Sequence, residues 1–333
     1  MNQQVQRIGI IGAGSWATAL CKIFSGSGIP VSWWFHRKED AALFTETGHN
    51  PRYLTDIDFN GQEIEAETDL VAVVQKSDLL LIAVPSAFVA SVLSVLPPDA
   101  FRNKFVITSV KGILPEELML VSDYLQNAFS LHPNQIAVIA GPCHAEEVAL
   151  EKQSYLTVAS PSAAFRQMLK EKMEGRFIRV KVSEDADGVE WAAILKNVYA
   201  IACGVCHGLG FGDNFQAVLV SNAMQEMQFF LDSHLPSRRN TLESAYLGDL
   251  LVTAYSVFSR NRTFGNMIGR GYGVRAAQME LGMVAEGYYA VKGLHQLREK
   301  LGISLPIADA MHAILYEHVP ARDRILALKG ILS

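Results

Sequence analysis

Three polar groups stand in the second half of the chain among apolar neighbours. Lys196 and Asn197 interrupt "AAILKNVYAIACG", a helical pattern that is otherwise nearly all apolar. Asp249 lies between leucines in "YLGDLLVTAYS", and Ser259, Arg260 and Asn261 open "SRNRTFG" at a break in the pattern. Lysine is rarely found fully buried, because an ammonium without a partner is expensive to take out of water. Each group also has a purely structural explanation. A lysine can run its stem out along apolar surface, an aspartate after glycine can cap the next helix, and an Arg-Asn pair can sit in a turn. Together they offer a proton donor, an orienting carboxylate and an arginine at a helix start suited to phosphate.

A second constellation lies near the N-terminus. Gly12-Ala13-Gly14-Ser15-Trp16-Ala17 reads G-x-G-x-x-A, directly after the apolar run "RIGIIG" and at the head of a helical pattern. In that context the motif binds a dinucleotide. Gly12 permits the tight turn, Gly14 lets a pyrophosphate approach the backbone, and Ala17 allows close helix–strand packing. The other reading is a glycine turn that only joins strand to helix. The second strand ends "VSWWFHRKED", with His36, Arg37 and Lys38 where an NAD site usually has an acid; the first acid, Glu39, comes late. A basic cluster suits a 2′-phosphate, so the expected cofactor is NADPH, with NADH as the alternative; the other reading of the cluster is an exposed basic turn that touches nothing. Lys111, in "TSVKGI", follows another buried run and, if that run is a strand, is aimed at the ligand edge of a parallel sheet; the other reading is a solvated loop lysine.

Elements able to position these groups are legible in the chain. Continuous apolar runs at Arg7–Gly12, Val31–Phe35, Leu79–Pro85, Phe105–Val110 and Ile136–Gly141 suit parallel strands covered on both faces. Helical patterns fall between them, for instance Ser86–Leu96 and Pro115–Phe129, and "SYLTVAS" and "RFIRVKV" extend the series. This alternation predicts a doubly wound, mainly parallel α/β Rossmann-like domain over residues 1–183. Beyond Ser183 strand signals fade, and an all-α domain is expected over 184–333.

Bulk properties narrow the classes. Net charge is −5, which gives no general basic footprint for nucleic acid. The opening "MNQQVQRIGIIGAG" is too short and polar before its first strand for a secretory signal, and no uninterrupted apolar run reaches the roughly 18 residues of a membrane span. A cytoplasmic protein is expected, and an apolar helical domain leaves room for a homodimer. Four cysteines make no disulfide framework in 333 residues. "CGVCH", Cys203–His207, matches haem-attachment and C-x-x-C spacings, but it ends an apolar helix rather than opening one beside a strand, so packing is the expected role. No metal is expected.

Taken in order, GAGSWATAL, AVPS, the VKG of "SVKGI", AGP at Ala140–Pro142, ILKNVYAIA, GLGFGDN, LGDLLVT, SRNRTFG and the VAEG of Val284–Gly287 make the chain resemble the NAD(P)-dependent glycerol-3-phosphate dehydrogenases, prokaryotic type, from Arg7 to about Leu315. The resemblance implies reduction of dihydroxyacetone phosphate to sn-glycerol 3-phosphate for phospholipid synthesis. It implies Lys196 as acid/base, with Lys111 touching substrate and nicotinamide. It places Gly141, Cys143, Asn197, Asp249, Ser259, Arg260 and Asn261 at the substrate, and Gly12, Gly14, Ser15, Trp16, His36, Arg37, Lys111, Ala145, Arg260, Val284 and Glu286 at the cofactor. Cys143 departs from the Ser or Thr frequent after "AGP", and a thiol is the weaker donor. Two other classes compete: a β-hydroxyacid-type dehydrogenase with the same two-domain layout, and a dinucleotide-sensing regulator without chemistry. The first would lack the SRNR and LGD segments, and the second has no use for a lysine in an apolar helix.

Overall fold

The structure is a computed structural model and describes residues 5–332. Among the described residues, β1 (Ile8–Ile11), β2 (Val31–Trp34), β3 (Ile64–Glu67), β4 (Leu79–Ile82), β5 (Phe105–Thr108), β6 (Ile136–Ala140), β7 (Ser154–Ala159) and β8 (Ile178–Ser183) form one sheet in the order β3-β2-β1-β4-β5-β6-β7-β8. The pairings are parallel except that β7 runs antiparallel to β6. β1, β2 and β4 are buried at every position, as continuous apolar runs covered on both faces should be. The sheet therefore has the Rossmann order over its first six strands. The mixed sequence "IEAE" of β3 carries no such run. It is a partly exposed edge strand with β2 as its neighbour, which is why the apolar pattern does not reveal it.

Among the described residues, seven α-helices accompany these strands: α1 (Ser15–Ser25), α2 (Lys38–Thr47), α3 (Leu70–Lys76), α4 (Ser86–Leu93), α5 (Val121–Phe129), α6 (Ala145–Ala149) and α7 (Ala163–Met173). The helix expected over Pro115–Phe129 starts only at Val121. Residues before it form a tongue closed by a Leu114–Met119 bridge, with the Leu114 N–H donating to the Met119 carbonyl at 3.1 Å.

The chain divides into two compact units. One holds residues up to Val110 together with Val121–Ala186; the other holds Lys111–Leu120 and everything from Asp187 on. The tongue thus belongs with the helical unit, and so does Lys111. Ile113 packs on a helix there so closely that a Cβ added to Gly293 would lie 2.9 Å from its Cγ2.

The helical unit contains α8 (Ala186–Gly208), α9 (Asp213–His234), α10 (Asp249–Tyr255), α11 (Arg260–Gly269), α12 (Val274–Leu281), α13 (Glu286–Leu301), α14 (Pro306–Leu315) and α15 (Ala321–Lys329). By length and composition α8 could cross a membrane, but all of its apolar window is buried inside the protein, as in a core helix. Glycines let α8 and α11 meet closely. A Cβ on Gly204 or Gly208 would collide with the Arg262 or Asn266 carbonyl. One on Gly265 or Gly269 would collide with the Ile201 or Val205 carbonyl. Backbone meets backbone here, which only glycine allows. Cys203 and Cys206 sit in the same buried turn, and burial pushes the Cys203 thiol up to about 12 and Cys206 higher still. A thiol held protonated is a poor metal ligand and nucleophile, so "CGVCH" is packing.

Candidate active site

Lys196 lies mid-way along α8 and is 4% exposed. Its ammonium donates to Asp249 Oδ1. Asp249 is the first residue of α10 and follows a π-helical turn, Ser244–Gly248, which adds a residue to the turn before it. Its second oxygen, Oδ2, is 4.0 Å from Lys111 Nζ. Asn197 donates from Nδ2 to the Lys111 carbonyl at 2.8 Å, so neighbouring residues on α8 hold both ends of the cluster. Thr253, one turn beyond Asp249, donates to the Asp249 carbonyl at 2.6 Å and lies 3.5 Å from its Oδ1.

The electrostatics follow from this placement. Burial lowers the Lys196 pKa to about 7. Asp249 pulls it up, and the Lys111 ammonium pushes it down. Two cations thus share one buried carboxylate, and Lys196 can exchange a proton near neutral pH.

The "SRNR" segment does not break the helix pattern that follows it; it begins α11. Ser259 is the cap, with its Oγ accepting from the Arg262 N–H at 3.3 Å. Arg260 is the first helical residue and half-buried. First-turn N–H groups lack intrahelical acceptors, so Arg260 sits at the anion-binding end of a ten-residue helix. Asn261 is buried and its Oδ1 accepts from the Gly287 N–H at 2.9 Å. That bond ties α11 to the start of α13, where half-buried Val284 and Glu286 stand.

In the sheet unit Gly12 follows β1 with φ +118°, and a Cβ there would lie 2.8 Å from the Ala83 carbonyl oxygen. Gly14 caps α1, and a Cβ on it would meet nothing within 4 Å. That open cradle, at the head of an eleven-residue helix, fits a pyrophosphate. Ser15 is buried and Trp16 half-buried on the first turn of α1. His36, Arg37 and Lys38 are exposed where β2 gives way to α2. Gly141, φ +120°, follows β6 at the same carboxyl edge of the parallel strands. Cys143 and Ala145 pack into the core of this unit, so the Cys143 thiol is a buried neighbour of the edge.

Residues 7–166 match the family model for the N-terminus of NAD-dependent glycerol-3-phosphate dehydrogenase, and residues 185–325 match the model for its C-terminus. A glycerol-3-phosphate dehydrogenase [NAD(P)+] of Oceanobacillus iheyensis is 34% identical over 96% of this chain and 92% of its own length. One from Bacillus subtilis is 32% identical over 94% and 90%. The crystal structure of glycerol-3-phosphate dehydrogenase from Coxiella burnetii aligns with a TM-score of 0.91 at 31% identity, covering 97% of this chain and 98% of that one.

The chain belongs to the NAD-dependent glycerol-3-phosphate dehydrogenase family.

An enzyme of this family is an oxidoreductase with a nicotinamide cofactor, and the Gly14 cradle fits the pyrophosphate of one. Several polar groups near the glycerol-3-phosphate dehydrogenase motifs escape a motif search. Thr253 is legible only through its four-residue spacing from Asp249. Glu226, between Gln225 and Met227 on α9, is buried, and its carboxylate accepts the Ile307 N–H at 2.7 Å and the Ala308 N–H at 3.1 Å, capping α14. His295 on α13 and His312 on α14 stack face to face at 3.6 Å, with Glu317 3.0 Å from His312 Nδ1. Stacked rings point their lone pairs along parallel planes instead of at one centre. Arg298 already lies 2.9 Å from Asp309 and 3.4 Å from His295, so the group is an ion-paired stack.

Proposed function

We propose that this chain reduces dihydroxyacetone phosphate to sn-glycerol 3-phosphate, reversibly, with NADPH as the preferred reductant and Lys196 as the acid. The product is a glycerophospholipid precursor. The observation that carries this reading is the buried ammonium of Lys196 paired with Asp249 and flanked by Lys111. Reduced nicotinamide, when bound, supplies a hydride. Reduction of a C2 carbonyl puts negative charge on its oxygen. Lys196 stabilises that charge and delivers its proton to the oxygen; in the reverse direction neutral Lys196 takes the hydroxyl proton. Asp249 keeps Lys196 aimed and charged, and Lys111 adds a second cation. Asn197 fixes the backbone from which Lys111 projects. Arg260 and the first turn of α11 hold the phosphate, whose binding energy orients the carbon that reacts. Ser259 and Asn261 set the geometry of that turn.

Gly12, Gly14, Ser15 and Trp16 support the pyrophosphate. His36, Arg37 and Lys38 favour a 2′-phosphate, because no acid stands at the end of β2 to bond a free ribose hydroxyl. Val284, Glu286 and Ala145 are assigned to the cofactor by family resemblance, and Gly141 and Cys143 to the substrate. The direct test is oxidation of NADPH on addition of dihydroxyacetone phosphate. Absence of turnover refutes the reading. In the same assay Arg37→Ala is expected to lower kcat/KM for NADPH and spare NADH; a wild-type enzyme that strongly prefers NADH refutes the cofactor assignment.

A further inference from the structure

Three successive carbonyls of the glycine turn are each tied back by a side chain. The Trp33 indole N–H donates to the Gly12 carbonyl at 2.7 Å, Asn50 Nδ2 donates to the Ala13 carbonyl at 3.0 Å, and the Thr18 hydroxyl donates to the Gly14 carbonyl at 2.9 Å. Asn50 also donates to the Thr18 oxygen at 2.8 Å. Its own oxygen accepts from the Arg52 and Tyr53 N–H groups at 3.0 and 3.1 Å. Two donors and two acceptors exhaust what a side-chain amide offers, and Asn50 is 1% exposed.

Peptide planarity turns these bonds into a statement about the ligand. In a trans peptide the C=O of one residue and the N–H of the next point in opposite directions. Carbonyls of Gly12, Ala13 and Gly14 pulled back into the protein therefore turn the N–H groups of Ala13, Gly14 and Ser15 outward. A Cβ on Gly14 would meet nothing within 4 Å, so the turn has an open side for a ligand. An anion needs donors there. A flip of the central peptide would present a carbonyl lone pair instead.

We infer that Asn50 is a positioning residue of the dinucleotide site: it locks the Ala13–Gly14 peptide with its N–H toward the pyrophosphate and joins that turn to the loop after α2. This rests on the dinucleotide reading of the turn. Asn50 touches the turn and not the ligand. Aspartate at this position keeps the acceptor for Arg52 and Tyr53 but sets an oxygen against the Ala13 carbonyl. The pyrophosphate is common to both cofactors, so NADPH and NADH suffer alike, unlike the effect of Arg37.

The test is titration of purified Asn50→Asp with NADPH and with NADH, followed by nicotinamide fluorescence, alongside steady-state kinetics and thermal melting. Kd and KM for both dinucleotides are expected to rise at least about tenfold, the order seen when a buried hydrogen bond leaves its partner unsatisfied. The NADPH/NADH ratio, the KM for dihydroxyacetone phosphate and kcat at saturation stay put. Thr18→Val, which removes the hydroxyl and keeps the shape, weakens both dinucleotides in the same direction, and the double variant falls short of the product of the two effects. Dinucleotide Kd values within about twofold of wild type in a folded Asn50→Asp, or a loss confined to NADPH, overturn the inference. If Asn50→Asp melts below the assay temperature, Thr18→Val decides: unchanged binding of both dinucleotides overturns it. Failure of wild-type turnover would remove the substrate reading and leave the binding titrations to decide this one.

Discussion

Within the helical unit the Lys196 ammonium donates a hydrogen bond to the Asp249 carboxylate, with Lys196 4% and Asp249 1% exposed. Burial opposes the charge on Lys196, Asp249 supports it, and Lys111, 4.0 Å from the other carboxylate oxygen, opposes it again. The balance falls at about 7. That makes a lysine, ordinarily a fixed charge at neutral pH, into a group that can give and take a proton there.

The pH profile should therefore have opposite signs in the two directions. Carbonyl reduction needs protonated Lys196, so kcat for reduction is flat on the acid side and falls as pH rises through about 7. Alcohol oxidation needs the neutral amine and rises through the same pH. Profiles of kcat for dihydroxyacetone phosphate reduction and glycerol 3-phosphate oxidation check this. Two limbs of the same sign would contradict it.

Asp249→Asn removes the charge that raises the Lys196 pKa while keeping the side chain's shape. Lys196 then loses its proton at lower pH, and the falling limb of the reduction profile moves toward acid. At neutral pH kcat should drop by about 10²–10³, the range for loss of a preorganised electrostatic partner. An unmoved limb would show that Asp249 does not control Lys196.

The α8–α11 contact predicts a structural effect with a functional echo. Gly265→Ala drives a methyl into the Ile201 carbonyl, where neither backbone can give way. Overpacking of this kind costs about 1–3 kcal/mol. Because Ser259 and Arg260 begin the same helix, the substrate KM should rise as well. Denaturant melts and kinetics of this variant check both; a variant as stable as wild type would mean the helices part easily.

Much of this was legible in residue order. β1, β2 and β4 announced themselves as continuous apolar runs because both of their faces are covered. Lys196 stood out because the helix around it has no exposed face to which a lysine belongs. β3 was silent, since an edge strand reading "IEAE" needs no apolar run. The antiparallel turn from β6 to β7 was equally silent, because strand direction is set by partners and not by composition. Lys111 was placed by its strand, whereas the tongue it begins packs with the helical unit through Ile113 and Gly293. Asn50 and Glu226 left no local signal at all. Their partners, Ala13 for one and Ile307 for the other, are distant in the chain.

Glu226 supplies a prediction about stability. Burial raises its pKa to about 7 from an ordinary 4.5, against the backbone bonds from Ile307 and Ala308. Between those values the folded state holds a proton that the unfolded state has lost, so this group makes stability fall as pH rises from about 4.5 to about 7. Glu226→Gln should remove that contribution. It also sets an NH₂ against one of the two helix N–H donors, at a loss of about 1–3 kcal/mol near neutral pH. Urea melts of both proteins across this range check the slope and the offset.

The most direct test of the central claim is Lys196→Met, which keeps an unbranched stem in α8 and removes the ammonium. The measurement is kcat for dihydroxyacetone phosphate reduction beside the Kd for NADPH on the same preparation. A fall in kcat of about 10³ or more with NADPH binding preserved is the predicted result, the scale of losing both a proton donor and a charge at the reacting oxygen. Turnover close to wild type in a folded Lys196→Met enzyme would contradict it.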